Sequence, residues 1–303
     1  MLAPSLLAIA VFVYGFIGWT GFVSLTSWRG IHPDFTFVGL ENYRALLDSS
    51  RFQTNLRNAA VFTGLFLAGC LGTGLLLALL LDSRVKGEAL FRSVYLFPMA
   101  LSFIVTGVAW SWLFTPGRWP SDPTGINLLF HRAGLDFLQS AWITDASVVP
   151  ALRPDWSRVK LGVPLAMLPV VVAAIWQLSG FTMALYLAGL RGVSEDLREA
   201  ARVDGATEWA VFRHITWPLL QPITLSAVVV LGHTSLKIFD LVLTMTGGGP
   251  GNATEVPGIF MYEITFKANK FAEGAAAATV MLVLAAVLMV PYVLYNVRGG
   301  PDR

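Results

Sequence analysis

The sequence predicts an all-α fold: a polytopic membrane bundle of six transmembrane helices, with a bent amphipathic elbow on the cytoplasmic side. Three observations predict it. Of the 303 residues, 55% are hydrophobic and only 13% charged, against about 25% charged in an ordinary soluble domain. The apolar residues gather in six uncharged runs, each long enough to cross a hydrocarbon core of about 30 Å, which takes roughly 20 helical residues. Between the fourth and fifth runs stands a charged stretch, EAARVDGATEWAVFRHITWPLLQP, from Glu199 to Pro222.

The elements follow in order, as one domain over residues 1–303. The first run, Leu2 to Trp28, competes with a cleavable signal peptide, but it lacks a basic n-region and exceeds the roughly 7 to 15 residue apolar core of one. It is read as a retained span. The segment Gly30 to Arg57 then contains FVGLENYRALL, which has the spacing of an amphipathic surface helix. The second run is Asn58 to Leu81, and the third starts at Ser93 and ends before Arg118, at residue 117. Pro116 to Lys160, rich in Pro, Asp and Trp without a clear period, reads as a surface cap. The fourth run is Leu161 to Leu190, and a charged connection over residues 191–218 follows. The fifth starts at Ile215, is uncharged to Leu236, and is taken as a span to residue 243. Met245 to Phe271 includes GGGPGNATEVPG, whose clustered Gly and Pro forbid regular helix. The sixth run is Gly274 to Val297.

Six spans put both termini on one side. Arg84, Lys86 and Arg92 in the short loop Asp82 to Arg92, four arginines between Arg191 and His214, and Arg298 and Arg303 in the tail mark that side as cytoplasmic. The opposite loops hold slightly more basic residues, but they are more than twice as long, and long loops count for little in that rule.

Several function classes are excluded. The net charge of +2 is small and the basic residues are scattered through loops, so nothing points to nucleic acid. The single Cys70 lies inside an apolar run, which leaves no intramolecular disulfide and no thiolate metal cluster. GGGPGNAT has Asn252 and Ala253 where a phosphate-cradling loop needs Gly and Lys. No nucleophile-base motif, metal spacing or paired carboxylates appear in any span, so no catalytic residue is assigned.

The charged stretch reads as an elbow of two small helices. Ser194 is placed to cap the first, whose opening turn holds Glu195 and Asp196, acids suited to a positive helix end. Leu197, Ala200 and Ala201 form a narrow face of small or apolar residues, with Arg198, Glu199, Arg202 and Asp204 mostly elsewhere. Gly205 permits a sharp turn. A second short helix, with Trp209, Phe212 and Thr216 near one face, leads to Pro218 in the first turn of the next span. Such a segment suits docking into another protein's groove; an interfacial helix lying on lipid is the alternative.

These residues carry a resemblance. Glu199, Ala200, Ala201, then three residues, Gly205, nine residues, Ile215, one residue, Trp217 and Pro218 resemble the EAA motif of ABC importer permeases, with Trp217 in place of the usual Leu. FVGLENY, YLFPMALSFIVTGVAWSWL and FDLVLTMTGGGP extend the likeness to the carbohydrate-uptake permeases of the maltose-transporter type. PMALS, VTGVAW and KIFDLVLTMTGGGPG are most similar to permeases for glucose or mannose.

The resemblance implies a multi-pass permease of a prokaryotic cytoplasmic membrane. Its expected partners are a second, related permease, two cytoplasmic ATPase subunits and an external sugar-binding protein. The chain itself is expected to bind no cofactor and to catalyse nothing, with ATP and Mg held by the ATPase subunits. Glu199, Ala200, Ala201, Asp204, Gly205, Ile215 and Pro218 become the ATPase-coupling residues. In the fourth span, Trp176, Gln177 and Phe181 hold positions that by similarity line the cavity of the sugar-contacting subunit.

Independently, sugar hydroxyls need hydrogen bonds and pyranose faces need flat apolar surfaces. In the fifth span, His233, Thr234, Ser235, Lys237 and Asp240 interrupt an apolar helix, and ionisable groups at that depth face an interior or an aqueous cavity. Thr234, Ser235, Lys237 and Asp240 are therefore candidate sugar contacts, although Lys237 and Asp240, one helical turn apart, could instead pair with each other. His233 is read as an interhelical hydrogen bonder, and Trp110, Trp112 and Trp119 as an interfacial aromatic belt. A disaccharide, a maltooligosaccharide or a glycerol-phosphate is the alternative cargo. Outside the class the rival is an ion-coupled secondary transporter, which would not need the elbow.

Overall fold

In the computed structural model, which describes residues 3–83, 86–155 and 158–298, the chain is a helical bundle. Five helices are long and apolar enough to cross a membrane: Ala3–Ser24, Ser50–Asp82, Met167–Gly192, Glu208–Leu236 and the helix opening at Phe271. These are spans 1, 2, 4, 5 and 6. In place of the third run stands a bent pair, Glu88–Ala100 and Phe103–Phe114, which meet at 99° and make a sixth crossing if the two are one span.

That bend corrects the expectation of one straight third span. Pro98 sits in a 3-10 turn, Phe97–Ala100, and has no N–H to continue an α-helical ladder. Leu101 is extended, and the Ser102 hydroxyl accepts from the Val105 N–H at 3.3 Å, capping a new helix. A span that contains its own N-cap signal is two helices.

Span 1 includes a π turn at Ala10–Gly15, and its buried residues are Val23 and Ser24 in the last turn. The FVGLENYRALL segment forms the helix Glu41–Asp48 as expected. It explains how span 1 ends: the buried Asn42 amide donates to the carbonyls of Ser24 (2.9 Å) and Thr26 (2.8 Å), satisfying groups that a helix terminus leaves open.

Span 2 starts two turns earlier than its uncharged run. Ser49 caps it, and the polar residues Asn55 and Asn58 fall on the same buried stripe as Phe62, Phe66, Cys70, Gly74 and Ala78. Span 4 starts later than expected, because Leu161–Pro164 is a strand paired antiparallel with Val148–Leu152. A residue before proline prefers extended backbone, so Val163-Pro164 favours strand over helix despite the apolarity of the stretch. A second hairpin, Gly117–Arg118 with Asp122–Pro123, and the helix Gly125–Arg132 complete the cap between spans 3 and 4.

Span 5 also differs from expectation. Its helix stops at Leu236, and a separate short helix, Asp240–Thr246, follows. The glycine-rich loop after it holds one 3-10 turn, Pro250–Asn252, before the helix Pro257–Tyr262, which is within the segment expected to be turn-rich. Gly249 requires its residue type twice over: φ is +72°, and a Cβ would lie 2.7 Å from the Thr254 hydroxyl.

Spans 2 and 4 are the central pair. A Cβ on Gly74 would stand 2.6 Å from Thr182 Cβ and 2.9 Å from the Met183 backbone nitrogen, so the two helices touch almost backbone to backbone. Phe62, Phe66 and Cys70 of span 2 and Met167, Val170 and Ala174 of span 4 form a core that Leu231 of span 5 and Leu241 join.

Candidate functional site

The elbow forms at the end of the bundle where spans 2 and 4 finish. Its first helix is Glu195–Val203, with Glu195 and Asp196 in the opening turn. Ser194 is at the capping position, but its hydroxyl makes no capping bond. The closing turn is a Schellman motif. The Ala206 N–H donates to the Ala201 carbonyl at 2.9 Å and the Gly205 N–H to the Arg202 carbonyl at 3.0 Å, with Gly205 at φ +83°.

The second half departs from the expected separate helix. Thr207 caps a helix at Glu208, which runs through a π turn at Phe212–Thr216 into span 5 without interruption. Pro218 accounts for the π turn, since it has no N–H to return to the His214 carbonyl, and the Trp217 N–H reaches back to Phe212 instead. The elbow is therefore one short helix set against the extended foot of span 5. Trp209 stacks on Phe212 at 5.7 Å and Phe212 lies 6.3 Å from Trp217; Ile215 is half-buried there.

Two arginines hold the bend. Arg202 bridges Glu195 at 3.0 Å and Glu208 at 2.8 Å, and these hydrogen bonds, Glu208 first, keep its guanidinium protonated beyond its ordinary range. Arg198 reaches the other way, to Asp82 at the end of span 2 and to the Leu190 carbonyl in the last turn of span 4. Between the helix and the bundle lies a cavity of about 580 Å³, lined in part by Asp82, Arg198, Glu199 and Arg202. Glu199, Ala200, Asp204 and Gly205 are exposed and Ala201 is half-buried. With Leu197 also 52% exposed, the small-residue face is largely uncovered among the described residues.

The candidate cargo residues lie in two places. Trp176 is half-exposed and packs 5.6 Å from Trp110, which itself stacks on Phe114. Trp110 thus joins an inner aromatic cluster rather than the expected belt, whereas Trp112 is 76% exposed and Trp119 donates to Gln139. Phe181 is half-buried against the core. Gln177 is buried, and its amide donates to the Leu101 carbonyl at 2.8 Å, at the break in span 3.

In the fifth span, Ser235 is buried and its hydroxyl meets Thr63 of span 2 at 2.9 Å, a helix-packing contact. The Thr234 hydroxyl donates to the Val230 carbonyl. Lys237 and Asp240 are exposed on opposite sides of the helix break, so they are not one helical turn apart and form no ion pair with each other. The expected pairing assumed a helix that Leu236 ends. His233 Nδ1 is buried without a hydrogen-bond partner, contrary to the satisfied role expected of it.

Sequence reasoning missed one cluster at the opposite end. Arg51 of span 2 makes charge-assisted hydrogen bonds to Glu255, whose side chain is 1% exposed, and to Glu263. Asn55 donates to the same Glu255 carboxylate, and Asn58 to the carbonyls of Asn252 and Glu255. This ties the glycine-rich loop to span 2. Polar residues at 51, 55 and 58, spaced as one helical face ahead of an uncharged run, were the available signal.

Residues 70–297, which include the elbow and spans 4 to 6, match the family described as Binding-protein-dependent transport system inner membrane component. The chain belongs to this family. A probable ABC transporter permease of Pyrococcus horikoshii is 42% identical over 299 residues, covering 98% of this chain and 94% of the relative. A xylose/arabinose import permease of Haloferax volcanii is 35% identical, covering 96% and 85%. A trehalose/maltose transport permease of Thermococcus litoralis is 29% identical, covering 100% and 93%. In fold, the chain is similar to the crystal structure of a bacterial ABC transporter that imports alginate, with TM-score 0.74 and 21% identity over 96% of this chain and 91% of that one. It is a multi-pass membrane permease of the ABC importer class, a class that works with a substrate-binding protein.

Proposed function

We propose that this permease is one half of the translocation path of an ATP-driven sugar importer in a prokaryotic cytoplasmic membrane, with both termini inside. The xylose/arabinose and trehalose/maltose relatives support a sugar as cargo. Glucose or mannose is the cargo to test first, from the PMALS and KIFDLVLTMTGGGPG likeness, with a disaccharide such as maltose second. A second, related permease completes the path, and an external binding protein delivers the sugar. Two cytoplasmic ATPase subunits, holding ATP and Mg, drive the cycle.

The observation that carries this reading is the uncovered elbow: Leu197 and Ala200 are exposed, and the exposed Glu199 lines the cavity beside them, on a helix braced at both ends. Small side chains let a partner approach closely, and an exposed carboxylate suits a basic group of that partner. Closure of the ATPase dimer moves this helix, and the spans rock from inward-facing to outward-facing. Trp176 and Phe181 offer flat apolar surface to a pyranose, while Thr234, Lys237 and Asp240 supply polar groups near the break after span 5. Gln177 and Ser235 act through helix packing in the state described here.

The test is uptake in proteoliposomes holding both permeases, the ATPase subunits and the binding protein. Uptake of labelled glucose, mannose or maltose should require internal ATP and persist when ion gradients are dissipated. Uptake that follows an ion gradient and ignores ATP would establish the secondary-transporter alternative. Trp176→Ala should raise KM for the transported sugar several-fold while the complex stays assembled; an unchanged KM removes Trp176 from the path.

A further inference from the structure

We propose that Arg198 is a positioning residue for the transport cycle: it fixes the elbow to the joined ends of spans 2 and 4, so that a push on the elbow moves that pair as one body. The inference rests on the coupling role proposed above and names the contact through which force leaves the elbow.

The geometry has three parts. First, the Arg198 guanidinium forks, with one nitrogen 3.1 Å from the Asp82 carboxylate and the other 2.9 Å from the Leu190 carbonyl. Asp82 is the last residue of span 2, and Leu190 lies in the last turn of span 4. A cation at these two C-terminal ends is favoured by both helix dipoles, and it gives the Leu190 carbonyl a second donor beside the Val193 N–H at 3.3 Å. A planar fork can serve both acceptors at once, which a lysine ammonium on its single stem does less well. The side chain is 14% exposed, so the pair is shielded from solvent far more than Arg202 at 41%.

Second, the two spans that Arg198 joins are in close contact along their length, with Gly74 against Thr182 and the Met183 backbone and Phe62, Phe66 and Cys70 packed on Met167, Val170 and Ala174. Displacing the elbow therefore displaces both. Third, this pair leads into the bundle interior. Gln177, on span 4, holds the Leu101 carbonyl where span 3 is broken, and a Cβ on Gly180 would stand 2.0 Å from the Tyr95 carbonyl oxygen. Span 4 thus bears directly on the bent span.

The experiment uses the full complex with its ATPase subunits and binding protein, and whichever of labelled glucose, mannose and maltose the unmutated complex takes up. Arg198→Gln should lower uptake about tenfold while the ATPase subunits still copurify and hydrolyse ATP, so that sugar moved per ATP falls. The exchanged pair, D82R with R198D, restores the ion pair to span 2 but not the bond to the Leu190 carbonyl, so it should exceed both single variants without reaching the unmutated complex, and Arg198→Lys should fall between Arg198→Gln and the unmutated complex. Uptake within twofold of the unmutated complex in Arg198→Gln overturns the proposal. So does loss of ATPase binding in that variant, since Arg198 would then be part of the docking surface, and so does failure of the exchanged pair to exceed both single variants. If the unmutated complex holds no ATPase, the coupling role itself fails and this inference with it.

Discussion

Replacing Gly205 with valine tests the elbow through the backbone alone. Gly205 sits at φ +83°, and a Cβ built there meets nothing within 4 Å, so no collision contributes. What remains is the conformational cost of a β-branched residue in the left-handed region, about 1–3 kcal/mol. Taking about 2 kcal/mol, the population of the closed Schellman turn relative to its opened forms drops about 30-fold. The two bonds at stake are Ala206 N–H to Ala201 and Gly205 N–H to Arg202. Spans 4 and 5 are anchored elsewhere, so membrane insertion should be intact. In reconstituted complexes, ATP-driven uptake should fall tenfold or more in Gly205→Val, fall less in Gly205→Ala, and stay within about threefold in Gly205→Asn, since asparagine tolerates this region best after glycine. Uptake in Gly205→Val equal to the unmutated protein, or an order that follows side-chain size with asparagine below alanine, would refute the reasoning.

At the span 2 and span 4 contact, Gly74→Val should lower the thermal midpoint of the purified permease by an amount equivalent to about 1–3 kcal/mol, because Thr182 and the Met183 backbone leave no room; calorimetry in detergent reads it. At the outer cluster, Arg51→Ala should destabilise by about 3–5 kcal/mol, since it strands the buried Glu255, whereas Glu263→Ala should cost under about 1 kcal/mol at its more exposed site; denaturant unfolding of the two variants compares them. Hydrogen bonds from Arg51, then Lys267, hold the Glu263 carboxyl below its ordinary 4.5. Its stabilising contribution is therefore complete above about that pH and is lost as pH falls through the lower folded value. A pH series of thermal midpoints should show this acid loss in the parent and a smaller one in Glu263→Gln.

Much of this was legible in the chain because it is local. An uncharged run, a glycine at a helix end or a proline in a first turn acts within a few residues, and the elbow's composition placed its bend at Gly205. Residues whose partner is far along the chain gave weaker signals. In sequence Arg198 is only a charge off the small-residue face; its partner Asp82 stands 116 residues away. Lys237 and Asp240 looked like neighbours only while span 5 was assumed to continue past Leu236.

By itself, then, the sequence determined a membrane bundle, the approximate places of its long apolar helices, and an amphipathic elbow between the fourth and fifth, since hydrophobicity and helix-end chemistry are properties of short segments. Tertiary structure alone decided which polar groups were occupied. Glu255 can be buried because Arg51, 204 positions earlier, comes to meet it, and Gln177 is engaged because span 3 breaks and offers the Leu101 carbonyl. A charge or amide leaves water only where a partner is waiting, and where partners wait is settled by packing across the whole chain.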